Sequence, residues 1–146
     1  MTPSEISALA ERTVALSQSL RRAANALLDE AHARFAAGTL SADGWSQVFG
    51  DYLKMVQKAL DLANAATDQL ADGAGAALDA VEKDTARLTA QLAELKQVRD
   101  LIAVSLKLLV AMGAVALAVL APSPASAVAA VVALGDAVDT IVGAEP

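Results

Sequence analysis

A chain of 146 residues with net charge -6 and no cysteine is sized for one domain, or one domain with a short appendage. The lack of cysteine excludes disulfides, thiolate zinc sites and cysteine nucleophiles. The 11 basic residues are scattered, with Arg21-Arg22 the only doublet, so there is no footprint for a nucleic-acid backbone.

Hydrophobic residues make up 55% of the chain, aromatic residues only 3%. About a quarter of the positions are alanine, which loses no side-chain entropy in a helix. The expected class is all-α: long antiparallel amphipathic helices in a bundle or coiled-coil-like arrangement, followed by a hydrophobic helical hairpin. Pro3, Pro122 and Pro124 stand at expected boundaries and Pro146 at the terminus.

The first helix is predicted to start at Thr2-Pro3-Ser4-Glu5, a capping box with proline in the first helical position. Its apolar stripe runs through Ile6, Leu9, Leu16, Leu20, Leu27, Leu28 and Phe35, and Gly38 is expected to end it in a left-handed conformation. Ser41 or Asp43 then caps a second helix. In that helix Phe49, Leu53, Val56, Leu60, Ala63, Thr67 and Leu70 alternate spacings of four and three, which predicts a heptad seam. Gly73 and Gly75 predict a bend or short break.

The pattern resumes at Leu78, Val81, Thr85, Leu88, Leu92, Leu95, Val98 and Ile102. No break signal is read before residue 101, so this helix is expected to run continuously into the apolar stretch of residues 101–121. Pro122-Ser123-Pro124 stops it, and Ser126 is expected to cap a last helix over residues 127–143. On this reading residues 1–100 form an amphipathic region and 101–146 a hydrophobic hairpin.

The hairpin carries most of the functional expectation. Residues 101–121 would be about 32 Å long as a helix, which matches a bilayer core. The candidate membrane-facing residues are Leu101, Leu108, Leu109, Val115, Leu117 and Leu120 in the rising arm and Val128, Val131, Leu134 and Val138 in the returning arm. Asp136 and Asp139 oppose insertion, since a central Asp costs about 2.5–3.5 kcal/mol. Hairpin register places Lys107 near Asp139, so Lys107, Asp136 and Asp139 are read as a polar pair or as pore-lining residues. Ala114 with Ala118, and Ala129 with Ala133 and Ala137, have the spacing that lets helices approach closely.

Elsewhere, Trp45 and Tyr52 share one side of the second helix, either packing on the first helix or anchoring a partner or membrane surface. His32 is the only histidine and is read as a surface residue rather than a metal ligand. No phosphate loop, zinc-protease motif or nucleophile elbow is present, so no enzyme, cofactor or small-molecule substrate is expected.

The N-terminus is amphipathic and charged, unlike a signal peptide, which points to the cytoplasm or the cytoplasmic face of a membrane. In architecture, amphipathic helices joined to an apolar hairpin resemble α-helical pore-forming proteins. The leading expectation is a membrane-associating or membrane-inserting protein, in its most specific form an oligomeric pore-former. The alternative is a soluble oligomerisation or interaction module whose hairpin is covered by a partner or a second copy.

Overall fold

The computed structural model describes residues 2–68 and 70–143, so Pro146 lies outside the described residues. Among the described residues there are five α-helices: α1 Pro3–Ala36, α2 Ala42–Thr67, α3 Ala74–Gln91, α4 Leu101–Leu120 and α5 Pro124–Gly143. A 3-10 segment, Leu92–Gln97, follows α3. The protein is all-α, and no strand occurs among the described residues.

The starts and stops follow local chemistry. The Glu5 amide donates to Thr2 Oγ1 at 3.1 Å while the Thr2 amide donates to the Glu5 carboxylate at 3.1 Å, completing the expected capping box. Gly38 takes φ +78°, and the amides of Thr39 and Leu40 turn back to the Arg34 carbonyl. Ser41 Oγ then accepts from the Gly44 amide and starts α2. The expected interruption comes between Thr67 and Ala74, with Gly73 at φ +89°.

The helices alternate in direction along the chain and close into a ring in the spatial order α1, α2, α4, α5, α3, so that some ring neighbours are parallel. Side-chain contacts fix the relative directions. Tyr52 meets Asn25 and Trp45 meets His32, so α1 and α2 are antiparallel. Gly44 lies beside Ile102 and Asp51 bonds Ser105, so α2 and α4 run parallel. Arg12 reaches Asp79 and Arg34 reaches Leu95, which makes α1 and α3 parallel as well. The core inside the ring is aliphatic, built from residues such as Leu20, Leu27, Met55, Leu78, Leu88, Leu108, Met112, Leu134 and Ile141.

Three expectations need correction. The helix of residues 78 onward does not run on into the apolar stretch. It tightens into the 3-10 segment, Val98 is extended, and Asp100 starts α4 by accepting from the Ala103 amide at 3.0 Å. Arg34, far away in sequence, supplies the donors that make this break tolerable. Its guanidinium donates to the carbonyls of Leu95 at 2.7 Å and Val98 at 2.5 Å, groups that the end of a helix leaves unsatisfied. The break rephases the chain, so Leu78 through Val98 of the predicted seam are buried while Ile102 is exposed.

The second correction concerns α2. Its buried side is Gly44, Val48, Asp51, Met55, Ala59 and Leu62, whereas Phe49, Leu53 and Leu60 of the predicted seam face outward. Small residues share this inner face with Val48, Met55 and Leu62 where the neighbouring helices approach closely. The Ser17 hydroxyl donates to the Ala59 carbonyl at 2.7 Å, and a Cβ on Gly44 would come within 3.3 Å of Ile102. Third, α5 begins at Pro124 rather than after Ser126. Ser123 Oγ accepts from the Ser126 amide at 3.0 Å, and Pro124 occupies the first helical position, where its missing N–H is not needed.

Candidate functional site

Helices α4 and α5, each of 20 residues, are long and apolar enough to cross a membrane by length and composition. They pack against each other as the expected hairpin, and both also belong to the bundle wall. In its most apolar window α4 is 50% buried, whereas α5 is 28% buried.

Of the residues named in the rising arm, Leu101, Leu108 and Val115 are buried, Leu109 is half-buried, and Leu117 and Leu120 are exposed. Helical periodicity groups the exposed ones with Ile102, Leu106 and Val110 into one outward stripe from residue 102 to 120, about 27 Å long. Leu106, Val110 and Leu117 are each more than half exposed, at 52%, 54% and 56%. Lys107, at the edge of this stripe, is its only charged neighbour on α4.

In the returning arm Leu134 and Val138 are buried in the core, while Val128 and Val131 face outward together with Val132. Asp136 and Asp139 are exposed on the same outer side. The expected pairing with Lys107 is not formed. The ion pairs among the described residues are Arg12 with Asp79 and Glu82, and Arg34 with Glu30. The reason is rotational, because Lys107 and Asp139 project from the outer sides of their helices rather than across the seam between them. Of the small residues spaced for close helix approach, Ala118 and Ala137 are buried, Ala114 and Ala133 are half-buried and Ala129 is exposed.

One buried polar contact ties α4 to the amphipathic helices. The Ser105 hydroxyl donates to Asp51 at 2.8 Å, and both residues are buried. Gln47 donates to the other oxygen of the same carboxylate at 3.2 Å. Asp51 was invisible as a core residue in the sequence, since an acid on a helix reads as a solvated position. Its only sequence signal was Ser105, the lone hydroxyl in the first turns of an apolar helix.

A second surface lies on the other side of α2. The rings of Trp45, Phe49 and Tyr52 on α2 form a row that His32 and Phe35 of α1 both join at Trp45, with contacting centroids 5.6–6.3 Å apart. Trp45 stacks between Phe35 and Phe49, and Tyr52 donates its hydroxyl to Asn25 at 3.0 Å. Trp45 and Tyr52 thus pack on the first helix, one of the two expected roles, and both are half-buried against the edge of the core. His32 packs edge-on against Trp45. Among the described residues no cluster of three or more His, Asp or Glu side chains is arranged to hold a metal.

Arg12 braces α1 to α3 through Asp79 and Glu82, and its hydrogen bonds to Glu82 first and Asp79 second push its pKa upward. Comparison with known proteins adds no functional constraint: no family model, curated protein or solved structure matches this chain.

Proposed function

We propose that this protein is a membrane-associating helical bundle that contacts lipid through the outer face of α4. The observation that carries the reading is the outward stripe Ile102, Leu106, Val110, Leu117 and Leu120, apolar along the whole length of α4. Monomeric soluble proteins seldom leave such a continuous stripe in water. At about 25 cal/mol per Å², withdrawing an area on the order of 400 Å² contributes roughly 10 kcal/mol before the entropic cost of association.

Full insertion of the hairpin is the more specific proposal. Alone, the returning arm opposes it through Asp136 and Asp139, at about 2.5–3.5 kcal/mol for each central acid. An oligomer removes the objection by turning both acids toward an aqueous interior, where they would favour cations. Lys96, Arg99 and Lys107 flank α4 at its start while the turn at Pro122–Pro124 is uncharged, which favours an orientation with both termini on the cytoplasmic side.

The contact is tested by flotation of the full chain with phosphatidylcholine vesicles. Co-flotation that is lost in a Leu106→Glu/Leu117→Glu variant of unchanged helicity is the expected result; absence of co-flotation with neutral and anionic vesicles alike would refute the reading. A soluble module covered by a protein partner is the second reading, favoured by the Asp51–Ser105 bond that holds α4 in the bundle.

A further inference from the structure

The reversal between α3 and α4 is built differently from the others. Between α1 and α2 the chain turns at Gly38, between α2 and α3 at Gly73, and between α4 and α5 at Pro122. Residues 92–100 read LAELKQVRD, with neither glycine nor proline, and Leu, Ala, Glu, Lys, Gln and Arg are strong helix formers. The spacing of three and four that begins at Leu78 also continues past the turn, through Ile102, Ser105, Leu109 and Met112. Local chemistry therefore favours an unbroken helix here.

A tertiary contact reverses the chain instead. The largely buried Arg34 guanidinium holds the carbonyls of Leu95 and Val98, while Leu92, Leu95, Val98 and Leu101 pin the turn to the core. In an unbroken helix the same two carbonyls would accept from the amides of Arg99 and Ile102, four residues on. Each carbonyl thus has two alternative donors, Arg34 in the bundle and the chain itself in a straight helix. A segment satisfied in either conformation is a two-state element, and the surroundings of α4 decide between the states. In water the closed form wins, since straightening would strip Leu101, Val104, Leu108 and Met112 from the core. A bilayer covers those side chains and removes the objection.

We propose that the α3–α4 turn is a hinge latched by Arg34, and that entry of α4 into a bilayer straightens it. The product is one helix from Ala74 to Leu120, about 70 Å long, with its charged part in water and its apolar part in lipid. This inference rests on the hairpin insertion proposed above.

The test is a spin–spin distance in the full chain, with labels on Lys83→Cys/Val110→Cys, two exposed positions in a chain without cysteine. In the bundle Gly73 lies against Pro122, so α3 and α4 run side by side and residues 83 and 110 are nearly level. The labels should stand about 20 Å apart in buffer, roughly two helix diameters. On phosphatidylcholine vesicles the distance should rise to about 40 Å, the axial separation of these positions in a straight helix. Arg34→Met removes the latch and should speed this change at least about tenfold. Arg99→Pro should block it. Val98 is already extended, as proline requires of the residue before it, and the Arg99 amide has no backbone partner among the described residues. The bundle turn should therefore accept proline, whereas a straight helix needs that amide for the Leu95 carbonyl.

A label at 110 that enters lipid while the distance keeps its value in buffer would overturn the hinge and leave the membrane reading standing. A long distance reached as fully by Arg99→Pro would overturn it too, and an unchanged rate in Arg34→Met would overturn the latch. Absence of vesicle binding by the native chain would remove the membrane reading and the hinge with it. Should Arg34→Met fail to fold, the native distances and Arg99→Pro still decide.

Discussion

Two exposed apolar faces of this bundle, one on α4 and one on α1 and α2, differ in kind. The α4 stripe is purely aliphatic, and the helix behind it is apolar on every side, with Ser105 and Lys107 its only polar residues. The face on α1 and α2 is aromatic and heptad-spaced, on a helix whose other side puts Val48, Met55, Ala59 and Leu62 into the core. Lipid imposes no register, so a surface meant for it needs apolarity and length but no repeat. A partner helix imposes a period and favours rigid aromatic contacts. Apolar exposure alone thus says little; its spacing and its aromatic content are what distinguish the two faces.

The variants with the largest expected effect break this division outright. Leu106→Glu/Leu117→Glu should weaken vesicle binding at least about 100-fold, since each leucine contributes on the order of 1.5–3 kcal/mol when withdrawn from water. Leu53→Glu/Leu60→Glu should leave vesicle binding within about twofold. Equal losses in flotation for both variants would mean that a single continuous surface is at work.

Next in size is the contact that holds α4 against α2. Replacing Ser105 by Ala leaves the buried Asp51 with Gln47 as its remaining side-chain donor, so denaturant unfolding should show a loss of about 1–3 kcal/mol. If α4 must loosen to enter lipid, the same variant should bind vesicles faster in stopped-flow fluorescence using Trp45, the only tryptophan. Slower or unchanged binding would indicate that the α4 face works with the bundle closed.

Asp136→Asn/Asp139→Asn sharpens the comparison within the hairpin. Because both acids are exposed and outside any ion pair among the described residues, their neutralisation should change stability by less than about 0.5 kcal/mol. In vesicle flux measurements it should reduce preference for cations if a pore forms. The smallest effect is expected at Thr85, buried in the α3 seam with its hydroxyl unpartnered. Thr85→Val should leave vesicle binding unchanged and raise stability by up to about 1 kcal/mol, read from thermal unfolding.

Much of the fold was legible in the sequence because its signals are local. The Thr2–Glu5 box, Gly38, Ser41 and the prolines of the turn each act within one helical turn, and each boundary that depends on them is close to its predicted place. The break before α4 was not legible, because it depends on Arg34 capping carbonyls 61 and 64 residues away. The inner face of α2 was missed for a related reason. Hydrophobic periodicity favours Leu53 and Leu60, but the close approach of α1 and α4 selects Gly44, Asp51 and Ala59 instead. The hairpin residues were named correctly as an apolar set, yet their division into core and surface follows from which helices flank them. The same holds for Lys107 and Asp139, near in register but rotated apart.

Lipid contact along α4 is tested most directly by spin labels on single cysteines at positions 53 and 110, introduced as Leu53→Cys and Val110→Cys into the cysteine-free chain. With phosphatidylcholine vesicles present, the label at 110 should become accessible to oxygen and shielded from a water-soluble nickel complex, while the label at 53 should show no such gain. A label at 110 that stays open to nickel, or a label at 53 that enters lipid in its place, would contradict the assignment of α4 as the membrane face.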